Sequence, residues 1–126
     1  MRVLYSAVVL DPKSKIDVLH AVRSIPHVGW DCKAHHMTIC FGRGLPEHLK
    51  RDLGKRVPLT VTHIGKYSNS AIAVRVAGYE SQNKNAHVTC WVNTRAGGKS
   101  VDSNKIEFWK PVKNFTIHGT VEEVKG

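Results

Sequence analysis

The stretches His36-Met37-Thr38-Ile39 and His87-Val88-Thr89-Cys90 decide how this chain folds. Each lies in a run of β-favouring residues, and each sets one histidine two positions before one threonine. Side chains on a strand alternate faces, so each His and its Thr point the same way. In the first stretch Met37, Ile39 and Phe41 share the apolar face and Cys40 joins His36 and Thr38. In the second, Val88, Cys90 and Val92 are the apolar set, while Trp91 and Asn93 share the face of His87 and Thr89. If the two strands lie side by side, two imidazoles and two hydroxyls converge on one groove. A lone His-x-Thr arises by chance in many proteins; two copies in matching apolar contexts carry far more weight.

Working outward, positions 3–10 read as a strand that ends at Asp11-Pro12, a helix cap with proline at the first helical position. Ile16, Leu19 and Val22, with Val18 and Ile25 beside them, then give one broad apolar helix face until Pro26. Leu45-Pro46 opens a second, short helix with Leu49 and Leu53 as its buried stripe and Gly54 as its C-cap. Positions 59–66 and 71–77 predict a hairpin joined by Tyr67-Ser68-Asn69-Ser70. Positions 86–93 form the second His-x-Thr strand, 101–108 a short helical or irregular piece, and 115–124 a closing strand. The helices are too few to cover both faces of a sheet, which predicts an α+β domain with a curved, mostly antiparallel sheet and outer helices. Each half contributes one His-x-Thr strand, with His36 and His87 separated by 51 positions, suggesting a rough internal repeat.

The 126 residues fit a single domain spanning 1–126, and a hydrophobic share of 41% with 23% charged residues is that of an ordinary globular chain. The longest apolar run, positions 7–10, is far too short to span a membrane, and no signal peptide is visible. A net charge of +9 points toward an anionic partner, with nucleotide, RNA or DNA as the natural class. Cys32, Cys40 and Cys90 form no Cys-x-x-Cys pair and leave one thiol over, so a reducing cytoplasm is expected rather than a disulfide framework. A zinc site from Cys32, His35, His36 and Cys40 is disfavoured, because they straddle a strand without a second ligand pair at finger-like spacing.

The residue types suit phosphate chemistry. Imidazole titrates near neutrality, so one ring can take a proton from water or a ribose hydroxyl while the other, protonated, donates to the leaving oxygen. A threonine on the same face can donate its hydroxyl to a nonbridging phosphate oxygen, and its branched side chain is stiff on a strand. This scheme needs no metal or cofactor.

With its two His-x-Thr motifs the chain resembles the 2H phosphoesterase superfamily. The string Trp30-Asp31-Cys32-Lys33-Ala34-His35-His36-Met37-Thr38-Ile39 is similar to its RNA-repair-like, or Swiss Army Knife, branch, and to some phage and ligase-associated cyclic phosphodiesterases. The resemblance implies a bilobal, pseudo-twofold α+β fold around a cleft. It implies cleavage of a nucleotide phosphodiester such as a 2′,3′-cyclic phosphate, with His36 and His87 as the catalytic pair and Thr38 and Thr89 as phosphate ligands. A phage-encoded member would act in the host cytoplasm, on cyclic nucleotide signals of bacterial immunity.

Around that set, Trp91 and Tyr5 are candidates to contact the nucleotide, and Arg43, Lys66, Arg75 and Arg95 to contact phosphate, with Arg43 and Arg95 put forward as substrate-binding residues. His35 is expected to face away from His36 unless a bulge intervenes. His20, His27, His48, His63 and His118 have no repeated partner and receive no role. The expected function is a metal-independent phosphodiesterase acting on a nucleotide or RNA. The alternative is a noncatalytic RNA or nucleotide-binding module using the same basic groove.

Overall fold

Val3, Tyr5, Val8 and Val9 favour the extended chain and make Val3–Leu10 the first strand, β1, and Pro12 at the first helical position starts helix α1 (Pro12–Ala21) directly after it. These and the following elements come from a computed structural model that describes residues 2–126. After α1 come β2 (Asp31–Cys32), β3 (His36–Phe41), a 3-10 segment Glu47–Asp52, and the hairpin of β4 (Arg56–Tyr67) and β5 (Ala71–Ala77). Strand β6 (His87–Val92), 3-10 segments Thr94–Ala96 and Ser100–Lys105, and the long β7 (Trp109–Lys125) complete the chain.

The sheet runs β2-β6-β3-β1-β7-β4-β5, and β5 pairs back onto β6, so six strands close into an antiparallel barrel. The fold is thus a sheet-rich mixture of strands with few helices. Inside the barrel Val8, Met37, Leu59, Val74, Val88 and Ile117 are fully or almost fully buried, the apolar sets that alternation assigns to the inner face. The seam that closes the barrel joins β3 to β6 through Met37 opposite Val88.

Several local expectations change. Asp11 occupies the cap position of α1, but its carboxylate accepts from Arg56 Nε at 2.8 Å and caps no backbone N–H. The buried face of α1 is Ser14, Val18 and Val22, one helical turn apart, and Ser14 Oγ accepts the backbone N–H of His118 at 2.8 Å. Ile16, expected on that face, is 67% exposed, since it sits about 200° around the helix from Val18. The second helix is a 3-10 segment, where residues four apart diverge by about 120°; hence Leu49 is half-buried while Leu53 is exposed and Leu45 is buried in its stead. The closing strand starts at Trp109, not position 115, and includes Pro111, which pairs opposite His63, with two extra residues bulging between Pro111 and Phe115.

Replacing Val18 with Ala should therefore cost about 2 kcal/mol, from lost burial and the space left behind. Ile16→Ala should stay within about 0.5 kcal/mol of the parent. Urea unfolding of the two variants checks the assignment; equal losses would contradict this helix orientation.

Candidate functional site

The pair Met37 and Val88 is the midpoint of both His-x-Thr motifs. A local twofold through that pair carries His36 onto His87 and Thr38 onto Thr89. Because the strands run antiparallel, His36 lies across from Thr89 and Thr38 across from His87, and all four sit on the outer face while Met37 and Val88 fill the interior. The structure thus brings together the four residues singled out by the sequence, as a diamond on one stretch of barrel wall.

Neighbouring strands extend this surface. Strand β5 places Arg75 directly opposite His87, and β4 places His63 opposite Arg75. On the other flank the Tyr5 ring stacks on His36, centroids 4.8 Å apart. Above Thr89, the Ser103 hydroxyl from the 3-10 segment Ser100–Lys105 lies 2.8 Å from Thr89 Oγ1. Ser103 has no signal in the sequence, since only the tertiary docking of that segment brings it here.

The two imidazoles are held differently. His87, 8% exposed, directs Nδ1 at the Asn85 carbonyl, 2.8 Å away. A carbonyl only accepts, so Nδ1 carries the proton and the neutral ring presents a bare Nε2. Burial pushes its pKa below the ordinary histidine value, against an opposing effect of the Asn85 bond. His36 is lowered further, from 6.5 to about 4, first by burial and then by the charges of His35 and His87. Both rings are accordingly neutral at pH 7.

His35 is the residue that strand alternation misplaces. Five positions from Cys32 to Met37 face only three from Trp91 to Val88, so two extra residues bulge out between β2 and β3. Ala34 takes a positive φ of 52° within that bulge, an unusual conformation for a side chain with a Cβ. Its N–H still bonds to the Thr89 carbonyl at 2.8 Å. The bulge turns His35 back, and its Nδ1 meets His36 Nδ1 at 2.9 Å. Alanine carries no sequence signal for such a turn.

Other candidates end up elsewhere. Trp91 shares the outer face, but the His27 ring stacks on it at 4.1 Å and its indole N–H is buried without a partner, so a nucleotide cannot use that covered face. Arg43 lies in the exposed loop beyond Phe41, at the end of β3 remote from His36. Arg95 stands in the 3-10 segment past the far end of β6, beside Gly29. Lys66 lies 6.0 Å from the Trp30 ring. Of the four cations, only Arg75 is registered against a motif histidine. Cys32 is exposed, Cys40 and Cys90 are buried, and burial pushes the Cys90 thiol up to about 12. Among the described residues no cluster of three His, Cys, Asp or Glu side chains has a geometry suited to a metal ion. No described helix is long and apolar enough to cross a membrane.

No protein-family model matches the sequence, and no curated protein matches it.

The depressed basicity of His36 links the site to stability. Because the folded ring holds its proton more weakly, the unfolded chain takes up more protons between pH 6.5 and about 4; this contribution is complete above that window and disappears as pH falls through it. The difference corresponds to about 3 kcal/mol for so enclosed a ring. Proton-detected titration of the His36 ring should give a midpoint near 4. Urea midpoints should fall across the same window less steeply in His36→Asn than in the parent.

Proposed function

We propose that this protein is a metal-independent phosphodiesterase that opens a cyclic or 2′-linked phosphodiester of a nucleotide or RNA, with 2′,3′-cyclic phosphate ends as the leading substrate. The observation that carries this reading is the antiparallel pairing of the two His-x-Thr strands about Met37 and Val88, which puts two imidazoles and two hydroxyls on one surface. The local twofold also supports reading the barrel as a bilobal, pseudo-twofold 2H phosphoesterase-like fold whose halves meet at this seam. The excess of cations over carboxylates, 19 to 10, favours an anionic substrate. Three free thiols suit a cytoplasmic setting, the host cytoplasm for a viral protein.

The hydrogen bonds of the two rings support a division of roles. His87, with Nδ1–H committed to Asn85 and Nε2 bare, is the base: it takes a proton from water, whose oxygen attacks phosphorus. His36 is the acid. In its protonated form His36 donates its Nδ1–H to His35 Nδ1, 2.9 Å away, and offers the proton on Nε2 outward, returning to the neutral ring once that proton is given up. As the new P–O bond forms, the bond to the ribose 2′ or 3′ oxygen breaks, and that oxygen leaves with a proton from His36. Thr38 and Thr89 donate to the nonbridging oxygens, where negative charge concentrates during attack. Tyr5, stacked on His36, walls the groove beside the leaving ribose.

This division of labour sets the pH response. The scheme is fastest with one ring neutral and the other protonated, and both rings bind protons weakly in the free protein. kcat/KM, which reports the free protein, should trace a bell whose maximum lies on the acid side of neutrality. The kcat profile should move to higher pH, because a bound phosphate anion strengthens the hold of both imidazoles on their protons.

Mass analysis of products from linear and 2′,3′-cyclic oligonucleotides and cyclic dinucleotides tests the activity directly. His36→Ala and His87→Ala should each lower turnover by about a hundredfold or more while thermal unfolding shows an intact fold. Turnover should persist in excess chelator. Binding without any product would instead favour a noncatalytic nucleotide-binding module, and unchanged rates in both variants would refute the assignment.

A further inference from the structure

Arg75 is half-buried, and it forms no ion pair with any carboxylate among the described residues. On one side it is registered against His87; on the other it lines a cavity of about 460 Å³ on the same barrel wall. Thr62, His63, Tyr79, Asn83 and Lys84 contribute to the cavity, which has two cations and no carboxylate in its lining. A guanidinium in such a place is costly to leave without a counter-ion, and its planar fork matches a phosphate. The volume is that of a small-molecule site.

The nearby acids are already engaged. Asp52 accepts the Tyr79 hydroxyl at 2.8 Å from behind, and Glu80 pairs with His48 at 2.9 Å. The hydroxyl of Thr62 lies 2.8 Å from His63 Nδ1, which steadies the imidazole at the cavity wall. A second cavity, of about 520 Å³, shares Lys84, but there Glu107 brings a negative charge and Lys105 is held by Asp102 at 3.2 Å. The first cavity is therefore the better anion site.

We propose that this cavity receives the nucleotide next to the cleaved phosphate, with Arg75 and Lys84 holding the adjoining backbone phosphate, so that the substrate is the end of a single-stranded oligonucleotide and not a free cyclic mononucleotide. The inference rests on the phosphodiesterase reading and adds the substrate's length to it. The strand pairing supplies the geometry: one phosphate sits over His87 and Thr38, and the next lies one strand away over Arg75, toward β4.

The test compares kcat/KM for a nucleoside 2′,3′-cyclic phosphate with that for a trinucleotide ending in the same cyclic nucleotide. The parent protein should prefer the trinucleotide by about tenfold or more, the value of one good charged contact. Added salt should erode the preference. In Arg75→Met and Lys84→Gln that preference should shrink toward unity. Lys84 is exposed, so its variant keeps the test valid even if Arg75→Met fails to fold. A parent protein that turns over both substrates equally, or a preference unaltered in Lys84→Gln and in any folded Arg75→Met, overturns this inference and leaves the phosphodiesterase reading standing. Turnover of neither substrate, nor of any other in the wider panel, overturns both.

Discussion

The site depends on how β3 meets β6. Those two strands are joined in register at Met37 and Val88, two side chains buried in the barrel core, and that one pairing both closes the sheet and sets the phase of the opposite face. A slip of either strand by one residue would turn its own histidine and threonine inward and expose its apolar set. Burial of Met37, Ile39, Val88 and Cys90 opposes such a slip, so the greasy side of each strand enforces the geometry of the polar side.

The same surface shows how a protein lowers the basicity of histidine without a nearby cation from lysine or arginine bonded to it. His36 is shielded by Tyr5 stacked on one side and by neighbouring imidazoles on others, and His87 is nearly enclosed. Two rings that resist protonation when free suit a site that binds an anion, because the anion itself then brings them into the range where protons move readily. The hydrogen bonds from each Nδ1, to a carbonyl for His87 and to a third imidazole for His36, fix which ring nitrogens face outward.

Much of this was legible from residues alone. The strand-like stretch from Val3, the Asp11-Pro12 boundary, the turn around Ser68 and the phase of both motifs sufficed for β1, the start of α1, the hairpin, the faces of β6 and those of β3 as far as Ile39. Beyond Ile39 the expected alternation fails: β3 holds one extra residue against β1 between Thr38 and Cys40, so Cys40 turns into the core and Phe41, expected inside, is 77% exposed. What escaped depends on partners distant in sequence. The turn of His35 needs a bulge whose cause is a register difference across two strands, and Arg75 stands out among the basic residues only once β5 is laid beside β6. Pro111 and Pro58 argue locally against strands, yet β7 and β4 accommodate both, because at each the strand pairs on one side only and the other margin needs no N–H from the backbone. Trp91 has the right phase for a ligand contact, but only folding reveals that His27 has claimed its ring.

Closure of the sheet has one more consequence. Each of the six barrel strands has a neighbour on both margins along part of its length, while among the described residues positions 56–59 of β4 pair only with β7 and positions 109–117 of β7 pair only with β4. Each of those stretches holds a proline, Pro58 or Pro111, which lacks the N–H that an added strand would need, so the half-open margins make poor templates for fibrous aggregation.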